Sequence, residues 1–194
     1  MPTHLVDNHA GITLGILAGG RASRLGGRDK AWLERNGVPQ VLALVQALES
    51  QVDAILISAN RNAERYLSRG LRAIHDRTAD LGPLGGLEAL AAECRSAWLL
   101  TLPVDALLVP DDLIAKLTTA ASGAFAVDDD GAQPLAALWR TAALRAGVSA
   151  AIASSDRAVH TLQTRLGMAR VRFDGVRFGN LNTPDDLVAA GIDG

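Results

Sequence analysis

The chain holds a single cysteine, Cys94, among its 194 residues. No disulfide can form within it, and no Cys/His spacing resembles a zinc site. Cys94 lies in the stretch LEALAAECRSAW, where a small packed hydrophobe on a helix is the expected role. An excess of one charge is missing too: 19 Lys and Arg stand against 21 Asp and Glu, a formal net charge of -2. That balance excludes the broad basic footprint of a nucleic-acid binder or of a protein held on anionic lipid. Trp32, Trp98 and Trp139 are not interleaved with a basic stripe, so packing is their expected role. No uninterrupted apolar run is long enough to cross a bilayer, and MPTHLVDNHAG lacks the basic segment and apolar run of a signal peptide. A cytoplasmic, reduced protein with no nucleic-acid or membrane partner is the expectation. No internal repeat or long linker divides the chain, so residues 1–194 read as one domain.

What is present is patterned. Hydrophobic residues make up 48% and charged residues 21%, the balance of a globular chain with a sizeable core. Short apolar runs read as strands at GITLGIL (11–17), DAILISA (53–59), LRAI (71–74) and AWLLTL (97–102). Between them, apolar residues at helical spacing predict helices over 40–51, 62–70 and 83–96. The nearly continuous hydrophobicity of AWLLTL suits a strand covered on both faces. Further on, a helix is expected over 110–122. Strands follow at 123–127 and 134–140 around the turn DDDGAQ, where Asp128, Asp129 and Asp130 read as a solvated turn. Helices at 142–154 and 159–166, a strand at 169–173 and a helix from Pro184 complete the pattern. This alternation predicts a three-layer α/β fold with a mostly parallel central sheet.

The stretch AGGRASRLGGRDK (18–30) follows the first strand, and open α/β sheets bind ligands beyond the carboxyl ends of their strands. Glycines let backbone N–H groups close on an anion without a clashing Cβ. Arg21, Arg24, Arg28 and Lys30 add charge. A di- or triphosphate is the ligand this predicts. A Walker A loop is excluded because Lys30 follows Asp29 and precedes Ala31. The Gly-x-Gly-x-x-Gly dinucleotide spacing is absent as well. Lys30 and Arg24 are the candidates for stabilising a triphosphate and a departing pyrophosphate, while Arg21 and Arg28 also read as solvated loop charges. A surface pairing of Lys30 with Glu34 is the plainer alternative.

LAGGRASRLGGRDK (17–30) resembles the nucleotide-binding signature of molybdenum cofactor guanylyltransferases, a branch of the nucleotidyltransferases with a Rossmann-like α/β fold. The likeness continues in family order through ISANR (57–61), LRAIHD (71–76), GPLGGLEAL (82–90), LPVD (102–105), QPLAALW (133–139) and NLNTPDDL (180–187). The resemblance implies transfer of GMP from GTP to molybdenum-bearing molybdopterin with release of pyrophosphate. It divides the chain into a nucleotide-binding part, about 12–110, and an acceptor-binding part, about 111–194. It implies that Leu17, Ala18, Gly19 and the adjoining Gly20 hold the nucleotide through their backbone, and that Lys30 meets the phosphates. It further implies that Asp76 contacts the nucleotide, that Asp105 binds magnesium, and that Asn180 and Asn182 lie on the acceptor side. Molybdopterin-handling proteins and recipient molybdoenzymes are the implied protein partners. The chain departs from the family at Ser58, where asparagine is frequent in the nucleotide pocket, and at Val104, where cysteine is frequent.

The chemistry fits these residue types. Nucleotidyl transfer needs in-line positioning and charge neutralisation rather than a covalent catalyst, and an acceptor phosphate is already anionic, so the lack of a Ser-His-Asp or Cys-His set is no obstacle. Magnesium takes one or two carboxylates and completes its shell with phosphates and water, so Asp105 alone can suffice; it also suits a turn or a helix cap. The Asp76 carboxylate can accept from guanine N1 and N2 together, with a turn role, or Asp80 in its place, as the alternatives. Asn182 or Thr183 alternatively caps the helix from Pro184. A related cytidylyl- or sugar-phosphate nucleotidyltransferase, or a nucleotide-binding regulator without turnover, is the alternative reading of the whole chain.

Overall fold

The computed structural model describes residues 11–19, 28–181 and 183–192. The first apolar run forms β1 (Ile12–Leu17), all six residues buried. A hairpin absent from the sequence reading follows: β2 (Glu34–Arg35) and β3 (Val38–Pro39) turn through Asn36 and Gly37 at φ 53° and 75°. An Asn-Gly pair tolerates these left-handed angles, and they match the twist of a tight hairpin. Then come α1 (Gln40–Leu48), β4 (Ala54–Ser58), α2 (Ala63–Leu67), β5 (Ala73–Ile74), α3 (Pro83–Glu93) and β6 (Trp98–Pro103). The carboxyl-terminal part adds α4 (Leu113–Leu117), β7 (Ala124–Asp128), β8 (Gly131–Arg140), α5 (Thr141–Ala153), α6 (Val159–Arg165), β9 (Ala169–Arg172) and α7 (Pro184–Ala189).

The helix expected over 110–122 shrinks to five residues. The hydroxyls of Thr118 and Thr119 donate to the carbonyls of Ala115 and Lys116 at 2.9 and 2.7 Å, local bonds that compete with continued helix. The DDDG turn also differs from expectation. Asp129 and Asp130 are exposed to solvent, but Asp128 is fully buried. Its carboxylate accepts from the backbone N–H of Phe178, far away in the chain.

Seven strands form one sheet in the order β5-β4-β1-β6-β8-β7-β9. Pairing is parallel throughout β5-β4-β1-β6 and between β7 and β9, and antiparallel on both sides of β8. The sheet is mostly parallel, with β8 as the reversed strand. Alternate side chains enter opposite layers. Leu14, Ile16, Leu100 and Leu102 pack with Val41, Leu44 and Leu48 of α1 and Leu113 and Leu117 of α4. Leu17, Leu56, Leu99 and Trp139 pack with α3, α5 and α6 on the other face. In the second layer the Trp139 indole N–H donates to the Thr101 hydroxyl at 2.8 Å, and that hydroxyl donates to the Leu135 carbonyl at 2.8 Å.

Two features aim this scaffold. From β1 the chain moves to β4 and β5 on one side and then returns to β6 on the other, so the strand order reverses between β1 and β6; such a switch point opens a crevice at the carboxyl ends of the strands. Helix α3 also lies unusually close to the sheet. A Cβ on Gly86 would meet Leu17 Cδ2 at 2.6 Å and Ser58 Oγ at 2.8 Å, and one on Gly15 would meet Leu90 Cδ1 at 2.9 Å. Glycine at Gly86 brings the start of α3 down beside the ends of β1 and β4, and glycine at Gly15 lets the later part of the helix lie close to β1.

Candidate active site

Leu17 and Ala18 leave the sheet between two supports. The Val104 N–H donates to the Leu17 carbonyl at 3.0 Å, and the Ala18 N–H donates to the Ser58 carbonyl at 2.8 Å. The exposed Gly19 follows, its Cα facing the Asn60 side-chain amide, which would stand 3.9 Å from a Cβ. Gly20, Arg21 and Arg24 lie outside the described residues, as does Asn182; Arg28 is described and exposed.

One wall of the crevice is a polar cluster at the ends of β4 and β5. Asn60 and Asp76 exchange two hydrogen bonds: the Asn60 amide donates to Asp76 Oδ2 at 2.8 Å, and the Asp76 backbone N–H donates to Asn60 Oδ1 at 2.9 Å. The buried Ser58 hydroxyl donates to Asp76 Oδ1 at 3.3 Å. Asp76 is therefore oriented through both oxygens, each retaining lone-pair capacity. Gly85 lies against this carboxylate, 3.2 Å from Oδ2 to the position of a Cβ. Asp80, the alternative acid, sits in the loop before α3 at φ 60°, and Arg157 donates to its carbonyl at 2.9 Å.

Across the crevice, the Lys30 ammonium stands 2.8 Å from Asp105 Oδ2, both side chains about one-fifth exposed (19% and 21%). The structure brings together two residues 75 positions apart and sets aside the Lys30–Glu34 alternative. Lys30 opens a single 3-10 turn, Lys30–Trp32, capped by Asp29, whose Oδ1 accepts from the Ala31 N–H at 3.1 Å. Its other oxygen accepts from the Asn62 amide at 2.7 Å. The Trp32 and Tyr66 rings pack at a 50° tilt with centroids 4.9 Å apart, and the Arg65 guanidinium covers Trp32 at 4.1 Å. Burial, reinforced by the Asp29 charge, pushes the Tyr66 hydroxyl far above its ordinary pKa, so it stays neutral. Lys30 is thus seated on a packed turn tied to α2.

Asp105 lies just past β6, and the loop after it is gripped from three directions. The buried Gln40 amide donates to the Ala106 carbonyl at 2.6 Å, Arg35 donates to the Leu107 carbonyl at 2.9 Å, and the Phe178 carbonyl accepts from the N–H groups of Leu107 and Leu108 at 2.6 and 3.1 Å. Among the described residues no three His, Cys, Asp or Glu side chains gather as a metal cluster. Thr183 takes the capping role before α7: its hydroxyl accepts from the Asp186 N–H at 3.2 Å, and its own N–H donates to Asp186 Oδ2 at 2.7 Å. Asn180, which takes no part in that cap, is exposed two residues beyond Phe178.

Sequence reasoning passed over Asn60, Asn62 and Gln40. A signal existed for Asn60, an amide at the end of a strand on the ligand rim, within the ISANR motif. Nothing local marks Gln40, whose partner is 66 residues away.

The reversed strand order sets the end of β1 beside a lysine and an aspartate, the ligand crevice of an open α/β sheet. The chain belongs to the MobA-like NTP transferase domain family, whose model matches residues 14–168. A molybdenum cofactor guanylyltransferase of Cupriavidus necator is 37% identical over 188 residues, 91% of this chain and 94% of that protein. Molybdopterin-guanine dinucleotide biosynthesis protein A from Archaeoglobus fulgidus shares the fold at a TM-score of 0.71 and 21% identity, over 92% of this chain and 96% of that one. So does 2-C-methyl-D-erythritol 4-phosphate cytidylyltransferase from Thermus thermophilus, at a TM-score of 0.70 and 16% identity over 91% and 96%. The chain is a nucleotidyltransferase of the MobA type. Among the described residues no helix is long and apolar enough to cross a membrane.

Proposed function

We propose that this protein transfers GMP from GTP to the terminal phosphate of molybdenum-bearing molybdopterin. The observation that carries the reading is the Lys30–Asp105 pair at the switch point, opposite the oriented Asp76 carboxylate. An oxygen of the acceptor phosphate forms a bond to the α-phosphorus of GTP. The bond from that phosphorus to the bridging oxygen breaks, and pyrophosphate leaves with the electron pair. The attacking oxygen is already anionic, so no general base is required, and the protein's task is alignment and charge neutralisation.

In this reading the Leu17–Gly19 backbone meets the nucleotide, and Asp76, braced by Ser58 and Asn60, accepts from guanine N1 and N2. The serine at position 58 suits the narrow space left by Gly86, and Asn60 supplies the amide on this wall. Lys30 leaves Asp105 for the β- and γ-phosphates, with Arg24 as the further phosphate contact, while Asn180 and Asn182 meet the acceptor. Magnesium fits the donor set: Asp105 is a partly exposed carboxylate already facing a cation, and one carboxylate with phosphates and water completes its shell. When bound, magnesium supplies Lewis-acid neutralisation of the triphosphate. The reaction is placed in the cytoplasm, with molybdopterin-handling proteins and recipient molybdoenzymes as partners.

The test is acceptor-dependent pyrophosphate release with magnesium, comparing GTP, CTP and ATP. Release with GTP alone is the expected result. Release only with CTP, or only with a sugar phosphate as acceptor, replaces the substrates. GTP binding without release in the presence of acceptor replaces the enzyme by a regulator.

A further inference from the structure

The fully buried carboxylate of Asp128 ends β7, just before the turn into β8, outside the groups used above. Its Oδ1 accepts from the Asp130 N–H at 2.9 Å and the Gln133 amide at 3.0 Å, and its Oδ2 accepts from the Phe178 N–H at 2.9 Å. Burial alone would raise its pKa, but these donors, with the Gly131 N–H, outweigh it and hold the carboxyl below the usual range. A buried ionised carboxylate is expensive unless its lone pairs are filled. This one is filled, and one of its oxygens is committed to a residue 50 positions away.

The far end of that bond touches the site. Phe178 is buried, and its ring meets Phe173 edge-on at 5.9 Å between centroids. Its carbonyl takes both the Leu107 and Leu108 N–H groups, so the segment anchored by Asp128 is also the segment that holds the loop after Asp105. Gly179 makes the crossing close: at φ 75°, a Cβ there would stand 3.0 Å from Leu107 Cβ. Asn180 follows immediately. We infer that Asp128 is a positioning residue: through Phe178 it fixes the acceptor-side segment and the Asp105 loop as one unit, setting the spacing between acceptor and metal-side carboxylate. This rests on the transfer reaction proposed above.

The test is Asp128→Asn. The amide keeps the volume, but with its oxygen left on the Asp130 and Gln133 donors it turns an NH2 toward the Phe178 N–H, releasing that anchor. In the substrate-free protein, amide hydrogen exchange at Phe178, Leu107 and Leu108 should accelerate together, with Leu17 and Ala18 unchanged. In turnover, KM for the molybdopterin acceptor should rise by about 10-fold, the scale of one charge-assisted hydrogen bond, while KM for GTP stays within about 2-fold, a change too small to represent one lost bond. Asp129→Asn, which weakens the exposed contacts of Asp129 Oδ1 with Arg172 and the Gly175 N–H but leaves the Phe178 anchor in place, should leave both constants unchanged. If Asp128→Asn does not fold, Gly179→Ala presses on the same junction from the Leu107 side and should give the same split. Unchanged exchange at Leu107 and Leu108, or equal rises in both KM values, overturns the inference. Absence of acceptor-dependent pyrophosphate release by the wild type overturns the reaction instead, and the substrate-free exchange still decides whether Asp128 links the two segments.

Discussion

Gly86→Ala isolates the close approach of α3 to the sheet. The added methyl would lie 2.6 Å from Leu17 Cδ2 and 2.8 Å from Ser58 Oγ, against an optimal carbon–carbon separation of about 3.5–4.0 Å. Leu17 can swing its terminal methyl aside within a packed layer. Ser58 cannot move without loosening its bond to Asp76. Overpacking of this kind costs about 1–3 kcal/mol, and replacing glycine by alanine inside a helix returns about 1 kcal/mol. The net expectation is a loss of up to about 2 kcal/mol, lowering Tm by roughly 2–8 °C for a chain of this size. KM for GTP should rise as well, because the displaced hydroxyl is one of the two side chains orienting Asp76. Thermal unfolding and initial-rate kinetics read both effects. Gly85→Ala is the control: its methyl would meet Asp76 at 3.2 Å and leave Leu17 untouched, so it should change nucleotide affinity with little loss of Tm. A Gly86→Ala protein as stable as the wild type, with the same KM for GTP, refutes the argument that glycine is needed there.

Other expectations concern the charged groups. Asp105→Ala should lower the rate of pyrophosphate release by about 100-fold or more with an unchanged circular dichroism spectrum; full activity removes the proposed metal role. Lys30→Ala should weaken GTP binding by roughly 10- to 100-fold, the scale of a charge-assisted bond, and equal affinity by calorimetry discards the assignment. Asn60→Ala should reduce the preference for GTP over ITP, which lacks the N2 donor, and an unaltered ratio would detach Asn60 from base reading. Asp128 contributes stability above the ordinary carboxylate pKa of about 3.9. Because its folded pKa is depressed, that contribution is lost as pH falls through the folded value. Acid unfolding followed by fluorescence should therefore be shallower below about pH 4 in Asp128→Asn than in the wild type, and superimposable slopes would contradict it.

Local pattern carried the strands and helices that lie against the core. Ile12–Leu17 and Trp98–Pro103 are apolar on both faces because helices cover both faces, and such runs are visible without knowing the neighbours. The Glu34–Pro39 hairpin was not visible, since two-residue strands have no period to detect. Lys30, Asp76 and Asp105 were legible as rim residues because each follows an apolar run at the ligand end of a strand or its loop. Their partners were not. The pairing of Lys30 with Asp105, and the reach of Asp128 to Phe178, depend on which strand ends the topology sets side by side. Asp128 misleads for a definite reason: three aspartates before a glycine satisfy every rule for an open turn, and the partner that commits the first of them, Phe178, lies 50 positions away.

The Lys30–Asp105 contact also bears on how binding responds to salt. On the proposed reading, a magnesium nucleotide enters a crevice where Lys30 and Asp105 already neutralise each other. Lys30 would pass from a carboxylate to a phosphate, and Asp105 would exchange an ammonium for the metal it is proposed to hold. At this contact charges would be exchanged pair for pair, so little small-ion atmosphere would be released from it on binding. Nucleotide affinity would then vary with ionic strength far less than a lysine facing a triphosphate would suggest, and stray anions would find no unbalanced charge at this contact to occupy.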